Sequence, residues 1–559
     1  MKRRAPLDGN GGRATSATDL QIASRIVDRA GVVPVLAPLM DAEVGRHRTI
    51  SVRGLLVACQ LNALARHHRA HLVEVARIIN ALTDDQRTSL GIVRHDPAET
   101  YDRVDRLFNK LCAVLDAGHV VDGVRVDAKW LANRLAVSAV PDEFRTSSSV
   151  AVDGTDVETW GALHGDAVSV DLDGEATEAQ LIDDKEQAAK RKASKRTAKV
   201  LGVGDDLRNI YTADRDARAG HRSATNSRPA GPYIGYELHL AVQARDVKWT
   251  NGVDKTRLSD EVPGVITCFS LVPAGTHRGK AIVDDLIAAK KAGEPIDDVV
   301  WDPGYSLCTP GTVHHRLAQA GIHQTFQPVT HQRGIRPFSG DALLIDGQLF
   351  SSLLPDELRD LPSPPRGASE AEKEPYETKF NLRARWRMMR HAAPDADGAT
   401  RWRCPFCSGF LRSRSFPKTM RKPKTVPLVP VADGCDKCCN GILTAQAAEM
   451  AWWQRIIYGT TAWRISMGRR QVVESVNAAL KGTFTDLGRG FMRVMGVTKM
   501  TVMLGFTLAA FNLDRIRSYR AKHALDEHGQ PTEKPKQTRA RRRTGTWADV
   551  IEPTTSPPD

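Results

Sequence analysis

Apolar residues recur at three- and four-residue spacing through Ile50–Ala63 and again through Leu72–Leu82, the period of helices packed by one face. The pattern predicts a helical domain over residues 19–145, behind a polar, glycine-rich and disordered start at 1–18. At Ser148 the period changes. Ser149-Val150-Ala151-Val152-Asp153 reads as a short buried strand that ends in a carboxylate before Gly154, with a second strand over Val157–Leu163. Residues 174–200, rich in Ala, Lys and Glu, predict an exposed helix, and 205–232 a loop. Gly235–Val242 and Val265–Val272 predict strands, Arg278–Ala292 a helix, and Asp298–Trp301 a strand that stops at Asp302. A helix over Gly311–Ala320 and a strand over Ile322–Gln327 follow. Strands leading into strand-helix-strand predict an α/β class, a mixed sheet flanked by helices.

The rhythm breaks over residues 331–455, rich in Pro, Gly, Arg and Lys, which reads as an insertion. Helical periodicity returns at Thr461–Lys481 and Thr498–Arg517. The sheet domain is therefore expected in two parts, 146–330 and 456–517, followed by a basic, polar and disordered tail at 518–559. The longest apolar stretch, Met500–Leu513, is short for a spanning helix and reads as a buried core helix. Met1-Lys2-Arg3-Arg4 leads into Gly and Asn rather than an apolar run, so no secretory signal is expected.

Charge adds a partner to this picture. Among 559 residues, 79 Lys and Arg outnumber 66 Asp and Glu, for a net charge of +13 at pH 7. Such a balance favours a polyanion, either nucleic acid or an anionic membrane surface. Arg53, Arg66, Arg69, Arg77 and Arg87 decorate the N-terminal helices, which fits either a DNA-binding domain or solvated helix faces. The nine cysteines are few for this length, and four of them form two CxxC pairs, which suits a reducing cytoplasm with one metal site better than a disulfide framework.

Those pairs are Cys404-Pro405-Phe406-Cys407 and Cys435-Asp436-Lys437-Cys438, with Cys439 as an alternative to Cys438. Each supplies two thiolates at the bite of tetrahedral Zn²⁺, and together they predict a structural four-cysteine site, a zinc-ribbon-like segment within the insertion. Arg412, Arg414, Lys418, Arg421, Lys422 and Lys424 lie between them, either gripping DNA or forming a solvated loop. Cys59, Cys112, Cys268 and Cys308 read as small buried residues.

Two aspartates end apolar runs, in Val152-Asp153-Gly154-Thr155 and Trp301-Asp302-Pro303-Gly304-Tyr305. At a strand end a carboxylate points to the rim of the sheet, where α/β proteins bind ligands, and the glycine lets substrate approach. Asp156 competes with Asp153 for this role, but Asp153 ends the apolar run. On a helix of about 100° per residue, Arg470, Glu474 and Lys481 fall on one stripe, and Val472, Val476, Ala479 and Leu480 fall opposite. His239 and His277 read as structural and stay outside the catalytic set.

The order Asp…Asp…Glu, with Arg470 four residues before Glu474 and Lys481 seven after it, resembles the DDE transposases of bacterial insertion sequences, in particular the IS4-like group and its relatives. Gly235-Tyr236-Glu237-Leu238-His239-Leu240 is similar to the family's third strand, and Val272-Pro273-Ala274-Gly275-Thr276-His277 to the turn after its fourth. The long gap between Asp302 and Glu474 fits the family's habit of inserting a domain before the glutamate helix. The family pattern has Tyr three residues before the Arg, where this chain has Met467.

The resemblance implies a ribonuclease H-like catalytic core and metal-dependent phosphoryl transfer, in which Mg²⁺ (or Mn²⁺) ions on Asp153, Asp302 and Glu474 clamp the scissile phosphate. It implies that Arg470 and Lys481 grip neighbouring phosphates. The expected partner is double-stranded DNA, both element ends and target, bound by a homodimer in the cytoplasm, with no membrane involved. A metal-dependent nuclease on the same fold and a non-catalytic DNA-binding descendant are the alternatives. The second is disfavoured because Asp153, Asp302 and Glu474 are all present.

Overall fold

A computed structural model describes residues 17–41, 48–65, 69–163, 170–171, 197–222, 230–248, 256–308, 310–365, 367–392, 394–414, 424–431, 442–523 and 525. The N-terminal part is helical, as its periodicity predicts: α1 (Ala17–Arg29), α2 (Val33–Met40), α3 (Val52–Leu64), α4 (Leu72–Ala81), α5 (Asp84–Ser89), α6 (Thr100–Ala117) and α7 (Ala128–Ser138). Polar side chains fix where these helices start. Ser51 accepts from the Gly54 amide, Thr83 and Gln86 form a reciprocal capping box, and Asp127 accepts from the Trp130 amide. Apart from Arg53, every residue of α3 from Val52 to Ala63 is buried, so α3 sits inside the helical layer.

The main sheet contains β1 (Ser149–Glu158), β2 (Arg218–Arg222), β3 (Gly231–Ala244), β4 (Ile266–Pro273), β5 (Asp298–Trp301) and β6 (His323–Thr325), in the order β4-β3-β1-β5-β6, with β2 on the far half of β3. β1 pairs antiparallel with β3 and parallel with β5, so the sheet is mixed, within the α/β class expected. Helix α8 (Arg278–Lys291) connects β4 to β5. The turn α9 (Pro303–Ser306) follows β5, and α10 (His314–Gln319) precedes β6.

Three local expectations are corrected here. The chain does not turn after Asp153: β1 runs on to Glu158 as one strand, because the 14-residue β3 offers it a partner from Ser149↔Ala244 to Glu158↔Gly235. Part of the expected loop 205–232 is strand β2, paired along the first half of β3. The helix expected over 174–200 lies outside the described residues except at its end, where Thr197–Ala198 pairs as a strand with Val170–Asp171.

The C-terminal helices are α12 (Thr461–Gly468), α13 (Gln471–Gly482) and α14 (Val497–His523), with α11 (Glu370–Ala384) in the insertion. The single helical run expected over Thr461–Lys481 is thus divided at Arg469-Arg470. Across that joint the amides of Arg469, Arg470, Val472 and Val473 bond three residues back, tightening the turn. Helix α14 extends past Ser518 to His523, so the first residues of the expected disordered tail are helical, while 526–559 lie outside the described residues. From Met500 to Asn512 α14 is fully buried, as a core helix should be, and it crosses α7 so closely that a β-carbon on Gly505 would stand 2.7 Å from the Ala132 α-carbon. No helix of the described residues is long and apolar enough to cross a membrane.

One continuous apolar cluster joins the N-terminal helices, α13, α14 and one face of the sheet through Ala151, Leu238 and Leu240. The opposite face, with Val150, Val152 and Trp301, packs against α8 through Ile282, Val283 and Leu286. The insertion has its own core around Phe350, Trp386 and Trp402. Two small sheets frame it: β7 (Ile335–Arg336), β8 (Ala342–Ile345) and β9 (Gln348–Ser351), and β10 (Met389–Arg390), β11 (Thr400–Arg403) and β12 (Ile442–Ala445). Arg383 is wholly buried there, 2.6 Å from Asp346 and over the rings of Phe350 and Phe380. Cys404 is buried beside this core and Cys407 half-buried, whereas Cys435, Cys438 and Cys439 lie outside the described residues. Arg403 pairs with Ile442, so Cys404 stands at the end of β11 next to which the chain re-enters the sheet. Cys59, Cys112, Cys268 and Cys308 are all buried.

Candidate active site

Parallel pairing sets the first two carboxylates side by side. Trp301 is the last residue of β5 and pairs with Val152, so Asp302 and Asp153 are the next residues on adjacent strands. Asp302 also caps α9, accepting from the Gly304 amide at 2.8 Å. Asp153 accepts from Asn477 Nδ2 at 3.2 Å, which ties β1 to the middle of α13. Burial, and then the charge of Asp302, push the Asp153 carboxyl up to about 7, against the pull of Arg470 and Arg278.

Helix α13 lies along β1, but its buried face is rotated from the expected one: Val473, Val476, Asn477 and Leu480 are buried, whereas Val472 and Ala479 are only partly covered. The stripe of Arg470, Glu474 and Lys481 engages protein groups. Arg470 Nη2 stands 2.6 Å from Glu474 Oε1, and Lys481 Nζ stands 2.6 Å from Asp156 Oδ1. Arg222 Nη1 is also 3.5 Å from Asp156 Oδ2. The Glu474 side chain is 47% exposed and paired with Arg470, and among the described residues it does not join Asp153 and Asp302 in a three-carboxylate cluster. Asp156 thus belongs to the cation row at the far end of α13, and Asp153 to the pair with Asp302.

Behind the pair lies a buried polar layer that the sequence reading leaves without a role. Arg278, the first residue of α8, stands 3.4 Å from Asp302 Oδ2 and 3.5 Å from Glu237 Oε1. Burial works against its charge, but Asp302 and Glu237 outweigh that and hold its pKa above the ordinary arginine range. Glu237 is pushed up by burial, against the pull of Arg278. His239 is driven down to about 3, chiefly by burial and then by Arg278, so it is neutral and bonds the Tyr305 hydroxyl at 2.7 Å. Glu237 Oε2 and His239 Nε2, 3.9 Å apart, are buried without a hydrogen-bond partner among the described residues.

This layer explains the two glycines beside the aspartates. Neither Gly154 nor Gly304 has a left-handed backbone. A β-carbon on Gly154 would stand 2.8 Å from Glu237 Oε1, and one on Gly304 would stand 2.0 Å from Arg278 Nη1. Beyond the substrate access expected of them, these glycines make room for the Glu237–Arg278 pair.

Spacing could have revealed Asn477, which is seven residues after Arg470 on the same stripe. Nothing in the sequence separates Arg278 from the many other arginines. His239 is structural, as expected, because it is buried, neutral and bonded to Tyr305.

Among the described residues no three His, Cys, Asp or Glu side chains form a ready-made cation site. The donors nevertheless suit a hard divalent cation. Asp153 and Asp302 are adjacent oxygen donors whose mutual repulsion is evident in the raised Asp153 pKa, and a cation relieves that repulsion.

A pH dependence follows. With a folded value of about 7 against an ordinary 3.8, Asp153 favours the folded chain at low pH, and its contribution is lost as pH rises through about 7. Without divalent cations, the melting temperature of the wild type should fall relative to Asp153→Asn between about pH 5 and about pH 8. Added Mg²⁺ should recover more at the upper end. Parallel pH profiles for the two proteins would contradict the raised pKa.

Comparison with known protein families, with curated proteins and with solved structures gives no match to this chain.

Proposed function

We propose that the chain is a DNA transposase of the DDE type, acting on the ends of an insertion sequence by metal-dependent cleavage and strand transfer. The observation that carries this reading is the placement of Asp153 and Asp302 side by side on parallel strands, with α13 laid along β1. The mixed sheet with carboxylates at adjacent strands supports a ribonuclease H-like core. Asp153 and Asp302 would hold Mg²⁺ (or Mn²⁺), and Glu474, paired with Arg470 here, would have to swing in as the third donor. The metal, when bound, supplies Lewis-acid activation of the scissile phosphate and of the attacking oxygen. The protein's own part is to orient. Asn477 fixes the Asp153 carboxylate, the Gly304 amide fixes that of Asp302, and Arg278 balances the charge behind both. Arg470 beside the pair and Lys481 at the far end of α13 would act as phosphate contacts, from positions where they neutralise Glu474 and Asp156. A homodimer on double-stranded DNA is the working assembly. A structural Zn²⁺ held by Cys404, Cys407, Cys435 and Cys438 completes the insertion.

The test uses a duplex carrying the repeat that borders the coding sequence, a target plasmid and Mg²⁺. Cut ends joined to the target are expected. Cutting without joining would make the protein a nuclease, and binding without cutting would leave only a DNA-binding role.

A further inference from the structure

A cavity of about 500 Å³ opens on the opposite side of the α12–α13 joint from the buried core. Its walls are the end of β3, the segment before β4, the first residues of α13 and the last turns of α14. Arg245, Pro263, Val472, Arg515, Tyr519 and Lys522 contribute to the lining. The charge is one-sided. The cations lining it are Arg245, Arg469, Arg515 and Lys522, and the only anion among the described lining residues is Glu261, which is held by Lys522 and His523.

Two of these cations lack an ionic partner. Arg469 is committed to Asp298, but Arg245 and Arg515 make no ion pair among the described residues. Each gives one Nε–H to a carbonyl, Arg245 to Ser259 at 2.6 Å and Arg515 to Pro263 at 3.1 Å. Those bonds anchor the stems and leave the forked ends of the guanidinium groups to the cavity. Both side chains are half-buried, and burial lowers the Arg515 pKa against the pull of Asp514. Two anchored, partly desolvated guanidinium groups with no direct ion pair among the described residues form an anion site, because such charges are normally paired.

The charge of the chain, 79 Lys and Arg against 66 Asp and Glu, favours a polyanion here. Gln471 and Val472 line the cavity, and Glu474 follows within one turn of the same helix. From Arg470 to Lys481, α13 spans roughly 16 Å at about 1.5 Å per residue. One strand of a duplex places a phosphate about every 3.4 Å along its axis, so several phosphates fit beside this row. Arg245 and Arg515 stand on the Val472 side of this helix, apart from the row of Arg470 and Lys481.

We propose that this cavity is a phosphate-binding station for the nucleic-acid backbone, on the Val472 side of α13. The inference rests on the DNA reading above and adds a site to it. Arg245 and Arg515 clasp a phosphate bidentately, and Tyr519 and Val472 form the apolar wall.

The test is fluorescence anisotropy of a labelled mixed-sequence duplex with the full chain, without divalent cations, across a range of NaCl concentrations. Replacing both arginines (Arg245→Gln with Arg515→Gln) should weaken binding about tenfold or more near 0.1 M salt and flatten the log–log salt slope by roughly one to two units. The charge-keeping pair Arg245→Lys with Arg515→Lys should restore most of the slope, which separates lost contacts from lost folding. An unchanged slope in the Gln variant, with wild-type binding intact, overturns the station and leaves the DNA reading standing. Absence of salt-dependent binding by the wild type overturns both. Calorimetry with inorganic phosphate provides the other arm. Saturable uptake that needs both arginines, combined with unaltered duplex binding, would make the cavity a small-anion site and overturn the proposal.

Discussion

Replacing Asp302 by alanine should lower strand cleavage by roughly 10³-fold or more, a barrier increase of over about 4 kcal/mol, while duplex binding stays close to wild type. The size of the effect follows from three simultaneous contacts. Asp302 caps α9 through the Gly304 amide, stands 3.4 Å from Arg278, and places a charge beside Asp153. Alanine removes all three. Losing the cap costs about 1 kcal/mol, and Arg278 keeps Glu237 as its ion-pair partner. Asp302→Asn separates these roles, because its side-chain oxygen still caps the turn but carries no charge. Both variants should be inactive, and only alanine should melt lower. An active Asn variant would remove Asp302 from the chemistry.

Arg469→Ala should destabilise the chain by about 3–5 kcal/mol, the range for breaking a buried ion pair at one partner. The Arg469 guanidinium is almost wholly buried and reaches Asp298 at 2.6 Å, Ser149 at 2.9 Å and the Arg245 carbonyl at 3.2 Å. It therefore fastens the α12–α13 joint to the starts of β1 and β5. Its loss leaves the Asp298 carboxylate without this partner and frees the helix that carries Glu474. Denaturant unfolding should show the loss, and cleavage should fall with it even where the variant stays folded. A shift below about 1 kcal/mol would fall in the range of exposed ion pairs and contradict the buried lock.

The readable parts of the molecule were those in which one local run of sequence decides the outcome. Helices α3 and α4, strands β3, β4 and β5 and the two aspartates after apolar runs follow from period and burial. The length of β1 was not legible, because its apolar run stops at Asp153 and its continuation depends on β3, far along the chain. The joint at Arg469 was hidden for a related reason. Its helical period continues unbroken, and only the pocket formed by Ser149, Asp298 and Ser466 makes the turn tighten there. Glu237 and Arg278 belong to a layer that exists only when β3 and α8 meet behind the aspartates, so no spacing announces it.

The hydrogen bond between Asp153 and Asn477 joins residues 324 positions apart. At a synthesis rate of about 5–20 residues per second, the emerging sheet waits roughly 15–65 s for α13. During that interval the sheet face bearing Leu238 and Leu240 lacks the cover of Val473, Val476 and Leu480. The nascent chain therefore carries its aspartates early and its lid of helices late. A chain that ends before residue 461 lacks both that cover and the Asn477 bond to Asp153, so the site is completed only when α13 has been made.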